Sequence, residues 1–278
     1  MSCFVFLGGD LRMLYAAEYL NKTHDCFAYG FENAGVIPVT VTEEIIPCDY
    51  AVLPLPLTSD GVRISMPYHA ENPNLDVIRY AVKEGGTVFS GKSCPYLEQI
   101  CEENGFKLCN YFEREELQIL NAVPTAEGAL EIILRELPVT VFGLNTLITG
   151  YGRIGEVMAR MLNNLGARVN VYARRKDQLA KAECIGCIPV SDDELTEKSG
   201  EADVIINTVP APVFDRRRLM KLKKDCLLID LASKPGVEDM ETAASVGVKV
   251  IWALSLPGKT APISAGRIIG KTIENMCG

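Results

Sequence analysis

The segment Gly150-Tyr151-Gly152-Arg153-Ile154-Gly155 constrains this chain more than any other. It follows a short apolar run, Thr146 to Thr149, and opens a stretch from Gly155 to Leu165 whose apolar side chains recur at helical spacing. Gly166 closes that stretch, and Arg168 to Tyr172 reads as a second strand. Strand, glycine turn, helix and strand in this order predict the βαβ unit of a Rossmann dinucleotide-binding domain. The first glycine permits the tight turn, the second lets backbone approach a pyrophosphate, and the third lets helix and strand pack closely. The N–H groups at the helix start then face the anion. Gly150, Tyr151, Gly152, Arg153, Ile154 and Gly155 are therefore the expected pyrophosphate-binding residues.

The choice of coenzyme follows from the end of the second strand. Such sites commonly place an acidic residue about 20 positions beyond the turn, where it accepts the ribose 2′-hydroxyl of NAD. Here the chain reads Tyr172-Ala173-Arg174-Arg175-Lys176, and the first carboxylate after Val169 is Asp177. A carboxylate would repel the 2′-phosphate of NADP, whereas an arginine fork can grip it. Arg174, Arg175 and Lys176 thus predict NADP, the alternative being solvated charges past a strand end. Three later strands, Val204 to Asn207, Leu227 to Leu231 and Lys249 to Ala253, each end in a polar turn. Ligands of doubly wound sheets lie beyond the carboxyl ends of the strands. That places Asn207, Thr208, Val209 and Ser233 on the coenzyme, although Asn207 and Ser233 read equally well as loop caps.

The first half also alternates strands (Cys3 to Leu7, Cys26 to Phe31, Tyr50 to Leu55, Thr87 to Ser90, Phe106 to Asn110) with helical segments at Leu11 to Leu20, Leu75 to Lys83 and Tyr96 to Glu103. The fold class is therefore α/β, with two doubly wound parallel-sheet domains. We expect a substrate or partner domain over residues 1–120, a connecting helix over 121–138 that starts at Pro124 and stops before Pro138, a Rossmann domain over 139–258, and a terminal helix over 259–278 packing back on the first domain. Gly86-Thr87-Val88-Phe89-Ser90-Gly91-Lys92-Ser93 matches the P-loop formula, but its context does not. A P-loop needs a strand before the first glycine and a free loop between the two; here the preceding residues read as helix and the interval as strand. Lys92 and Ser93, at a strand's carboxyl end, remain suited to a substrate carboxylate, as does Arg12 beside Asp10.

Composition excludes other classes. A net charge of −8 opposes nonspecific nucleic-acid binding. No run approaches the roughly 18 consecutive apolar residues of a membrane helix. The start lacks the basic segment of a secretory signal, so the expected location is the cytoplasm. The 10 cysteines are scattered except for Cys184 and Cys187, which offer two ligands where a structural zinc site needs four, so no metal is expected. Only two histidines exist, His24 and His69, both outside the expected coenzyme domain. That disfavours a carbonyl–alcohol dehydrogenase, whose chemistry needs a positioned acid or base. Making an aromatic ring would demand less of the protein.

The chain resembles the A subunit family of dipicolinate synthase from spore-forming bacteria, and its second half resembles the NAD(P)-binding domain of D-isomer specific 2-hydroxyacid dehydrogenases. The resemblance rests on Gly8-Gly9-Asp10 with Arg12, on Asn121 to Gly128, Gly150 to Gly155, Ala173-Arg174, Ile206-Asn207-Thr208, Asp230 to Gly236, and Leu256-Pro257-Gly258 with Ala261-Pro262 and Ala265-Gly266. Lys259 and Ile263 depart from the family's apolar and basic residues. The resemblance implies oxidation of dihydrodipicolinate to dipicolinate with a nicotinamide acceptor, partnership with a flavoprotein-like B subunit, and work in the mother cell during sporulation. It leaves homo-oligomerisation and the catalytic residue open. Arg12, Lys92 and Ser93, with Thr125 and Lys234, are the expected holders of the substrate's two carboxylates. The rival readings are another NADP-dependent two-domain dehydrogenase and a nucleotide-binding subunit without chemistry of its own.

Overall fold

The computed structural model describes residues 1–277, so the last residue of the expected terminal segment 259–278 lies outside the described residues. The chain divides into two units, one formed by Met1–Asn121 with the segment from Ala261 onward, the other by Ala122–Thr260. In the first, β1 (Cys3–Leu7), β2 (Asp25–Tyr29), β3 (Thr40–Thr42), β4 (Cys48–Val52), β5 (Val82–Ser90) and β6 (Lys107–Asn110) form a sheet of order β3-β2-β1-β4-β5-β6, every neighbour parallel. Helices α1 (Leu11–Leu20), α2 (Ile78–Ala81) and α3 (Pro95–Asn104) are its crossovers. Near-continuous apolar strands such as Phe4, Val5, Phe6 and Leu7, all fully buried, are what a sheet covered on both faces requires.

A long helix, α4 (Glu115–Glu136), contains the boundary between the units. The second unit holds β7 (Asn145–Thr149), α5 (Arg153–Asn164), β8 (Arg168–Tyr172), α6 (Lys176–Cys184), β9 (Ile188–Val190), α7 (Asp192–Glu201), β10 (Val204–Asn207), α8 (Arg216–Leu219), β11 (Leu227–Asp230), α9 (Met240–Ser245), β12 (Lys249–Trp252) and α10 (Leu256–Thr260). Its sheet runs β12-β11-β10-β7-β8-β9, again all parallel. Counted from the first strand of each unit, both sheets follow one doubly wound order, with the topological switch between β1 and β4 and between β7 and β10. The last helix, α11 (Pro262–Cys277), packs on α1 of the first unit; Gly266 and Gly270 face its backbone, and the Tyr19 hydroxyl donates to Glu274 at 3.0 Å.

Several local expectations need correction. The connecting helix begins at Glu115, not Pro124, which lies inside it. Proline is favoured at a helix start, but Glu115 and Glu116 complement the positive end of the helix dipole well before it, and buried Leu117 anchors that turn. Among the described residues α4 is also the one helix long and apolar enough to cross a membrane, yet its Ala126, Ala129, Ile132 and Ile133 are buried in the core of the second unit. The expected helix Leu75 to Lys83 is a single 3₁₀ turn followed by α2, and β5 already starts at Val82. The residues before Gly86 are thus strand. The P-loop match still fails, because Gly86 to Ser90 all lie within β5 and leave no free loop. Cys184 is exposed, with only Cys187 buried, and Cys3 forms a disulfide with Cys48 on β4.

Candidate functional site

The glycine turn sits at the switch point of the second sheet, between β7 and α5. Gly150 holds φ +94° and donates its N–H to the Tyr172 carbonyl at 2.8 Å, so the turn is tied to the end of β8. A Cβ on Gly155 would overlap the Gly150 carbonyl oxygen, whereas a Cβ on Gly152 would meet nothing within 4 Å. One glycine is therefore needed for packing and the other keeps a space open. Gly152 is also the N-cap of α5 and supplies no capping side chain, which leaves the start of the helix to an anion. Tyr151 and Ile154 turn their side chains into the core of the unit, and burial pushes the Tyr151 hydroxyl up in pKa.

A cleft of about 730 Å³ opens beside the turn. It unites Gly150, Tyr151, Gly152, Arg174, Arg175, Thr208 and Val209 of the expected set, and does not include Arg153, Ile154, Gly155, Lys176, Asn207 or Ser233. The two arginines differ in state. Arg175 makes a bidentate pair with Asp177 through Nε and Nη2, at 2.9 and 2.6 Å, on the exposed side of the cleft rim. Arg174 has no carboxylate partner among the described residues. Sequence reasoning missed a third cation in the lining, Arg218, whose Nη1 donates to the Val213 carbonyl at 2.6 Å. Its place in the run Arg216-Arg217-Arg218 gave no sign that one of the three faces a cleft.

Asn207 proves to be a peg. Fully buried, it accepts from the Thr149 hydroxyl at 2.7 Å and the Val209 N–H at 3.1 Å, and donates to Asp230 at 2.8 Å and the Val209 carbonyl at 3.1 Å. Asp230 in turn accepts the N–H groups of Ala232 at 3.1 Å and Gly236 at 2.6 Å. A Cβ on Gly236 would overlap the Asn207 amide, so the network closes only around glycine. It fixes the turns after β7, β10 and β11, which carry Thr208 and Val209 to the cleft. Replacing Asp230 by asparagine points an amide at buried N–H donors and should cost on the order of 2 kcal/mol, read as a lowered midpoint in urea unfolding. An unchanged midpoint would show that the network bears no such weight. Ser233 and Lys234, beyond β11, are exposed.

In the first unit the equivalent switch point is filled. Gly9 donates its N–H to the Ser65 carbonyl at 2.8 Å, and the Met66 side chain occupies the space beside Gly8 and Gly30. The chain between β4 and α2 thus plugs the crevice that the second unit leaves open. Arg12 is buried and committed, donating through Nε to Asp10 at 2.9 Å and through Nη2 to the Leu55 carbonyl at 2.6 Å. The Ser93 hydroxyl donates to Glu98 at 2.6 Å, while the exposed Lys92 ammonium has no carboxylate partner among the described residues. Thr125 is buried within α4.

The same end of this sheet carries a pair that spacing could not reveal. His69 Nδ1 lies 2.9 Å from the Glu32 carboxylate, and its Nε2 lies 3.4 Å from the Tyr29 hydroxyl. Burial opposes the charge on Glu32, but the hydrogen bond from His69 and backbone N–H groups outweighs it and holds that carboxyl below its ordinary pKa. An ionised Glu32 fixes Nδ1 as the donor and leaves Nε2 able to accept a proton. A carboxylate-oriented imidazole is the usual equipment of a general base.

Comparison with known proteins places these features in context. Residues 3–112 match the profile of the N-terminal domain of the dipicolinate synthase A subunit, and residues 133–244 that of the NAD-binding domain of D-isomer specific 2-hydroxyacid dehydrogenases. The chain is 31% identical to the dipicolinate synthase A subunit of Bacillus subtilis (strain 168), over 97% of this chain and 94% of that one. The crystal structure of the dipicolinate synthase A subunit from Bacillus halodurans superposes with a TM-score of 0.87 at 31% identity, covering 99% of this chain and 97% of that one. A transhydrogenase from Sinorhizobium meliloti, 15% identical, shares the fold with a TM-score of 0.71 over 99% of this chain and 93% of its own.

Proposed function

The chain belongs to the family of dipicolinate synthase A subunits, and from that premise we propose that it oxidises dihydrodipicolinate to dipicolinate with NADP as hydride acceptor. The proposed setting is the mother-cell cytoplasm during sporulation, jointly with a flavoprotein-like B subunit. The observation that carries the coenzyme assignment is Arg174, without a carboxylate partner among the described residues, in a cleft whose strand end holds no carboxylate of its own. The open space at Gly152 and the uncapped start of α5 suit a pyrophosphate, and Thr208 and Val209 form the adjoining wall. When bound, the nicotinamide supplies the hydride acceptor.

Lys92 holds a substrate carboxylate through its ammonium, with Ser93 beside it. Arg12 acts one step back, keeping the turn after β1 in place through Asp10 and Leu55. The ring must also lose a proton as it becomes aromatic, and His69, oriented by Glu32, accepts it. Because aromatisation drives the reaction, a single base suffices. The test is turnover of dihydrodipicolinate by the purified chain, with and without its partner, followed by absorbance of the reduced coenzyme. NADP reduction dependent on this chain is expected. Turnover of a 2-hydroxy acid instead, or reduction by the partner without this chain, would overturn the proposal.

A further inference from the structure

We propose that Arg218, not Arg175, is the second half of the clamp on the coenzyme's 2′-phosphate, joining Arg174 from a different element of the cleft. The inference rests on reading the cleft as an NADP site and assigns the residue that makes it selective. In a doubly wound sheet the adenosine ribose lies at the carboxyl end of the second strand, here β8. Arg174 follows that strand directly, while Arg218 reaches the same cleft from the segment after β10. The two cations thus approach the ribose position from different elements.

Four further observations favour Arg218. Arg175 is bound in both arms to Asp177, so gripping a phosphate would require breaking that pair and bringing the anion near a carboxylate. Arg218 has no carboxylate partner among the described residues. It is half-buried and pre-positioned: Asp215 caps α8 by accepting the Arg218 N–H at 2.8 Å, and Nη1 is fixed on Val213. An ordered guanidinium loses less entropy on binding than a free one. At the end of β8, burial and the hydrogen bond to Asp192 push the Tyr172 hydroxyl up in pKa, while the charges of Arg218 and Arg174 pull it down. Both guanidiniums therefore act on one point. The negative charge nearest that point, on Asp192, is engaged by the Tyr172 hydroxyl at 2.6 Å.

The experiment is calorimetric titration of the full chain with adenosine 2′,5′-bisphosphate and with adenosine 5′-monophosphate, which differ by the phosphate in question. The wild type should prefer the bisphosphate. Arg218→Ala should weaken bisphosphate binding by about tenfold to a hundredfold, the loss of one charged hydrogen-bonded contact, and leave the monophosphate within about threefold. Arg175→Ala should lose less than Arg218→Ala, and Arg217→Ala, an exposed neighbour outside the cleft, should lose nothing. Retained monophosphate binding shows that a variant is folded. Should Arg218→Ala not fold, Arg218→Lys keeps the charge without the fork and should still lose part of the preference. A preference untouched in these variants would overturn the assignment while leaving the NADP reading intact. Equal losses for both ligands would make Arg218 an adenine contact and also overturn it. No preference in the wild type would defeat the NADP reading itself, and the assignment with it.

Discussion

Gly152→Val is expected to weaken coenzyme binding by about a hundredfold or more without lowering the melting temperature, and Gly155→Ala to destabilise the second domain by on the order of 3 kcal/mol. The two glycines belong to one motif and fail for opposite reasons. At Gly155 the added methyl has nowhere to go, since the Gly150 carbonyl oxygen already fills its place, and backbone cannot step aside as a flexible side chain would. Either α5 shifts off β7 or the turn opens, and both undo the packing of buried Met158, Ala159 and Leu162. At Gly152 an added side chain meets only open space, and φ there is −90°, which any residue adopts. Valine would therefore fold normally and fill the position a pyrophosphate needs, costing about a hundredfold or more in coenzyme affinity. Calorimetric scanning with coenzyme titration separates the two. A Gly155→Ala protein as stable as wild type, or a Gly152→Val protein with full affinity, would contradict this account of the turn.

The second large effect is expected at His69. If it takes the ring proton, His69→Asn should lower kcat by about a hundredfold or more, the usual contribution of a positioned base. Glu32→Gln removes the orienting charge but not the base. Its fall in kcat should be smaller than that of His69→Asn. A merely structural pair would lower stability in both variants and leave kcat of the folded protein unchanged.

What the sequence disclosed about this molecule follows from how local each signal is. The βαβ unit at Gly150 was legible because its parts are consecutive and each glycine has a separate steric reason. The edge strands β3 and β9 were not read. Each has three residues, β9 contains Pro189, and so short a run carries no period. The start of α4 was misplaced because Pro124 imitates a helix start, while the real one depends on Glu115, Glu116 and the burial of Leu117. At the site, Arg174 could be inferred from an absence of acid near it, but the capture of Arg175 by Asp177 is a matter of rotamers. Asn207 shows a second limit. A polar residue at a strand's carboxyl end reads the same whether it faces a ligand or pegs three turns together. His69 and Glu32 are 37 residues apart on separate loops, and only the fold brings them within hydrogen-bonding distance.

In the proposed function this cleft selects the phosphorylated coenzyme through the Arg174 guanidinium at the end of β8, which no carboxylate among the described residues neutralises. Calorimetric titration of wild type and Arg174→Ala with NADP and with NAD tests it most directly. The wild type should bind NADP more tightly than NAD, and Arg174→Ala should lose about tenfold or more in affinity for NADP alone. Tighter binding of NAD by the wild type, or a preference for NADP that survives the substitution, would contradict it.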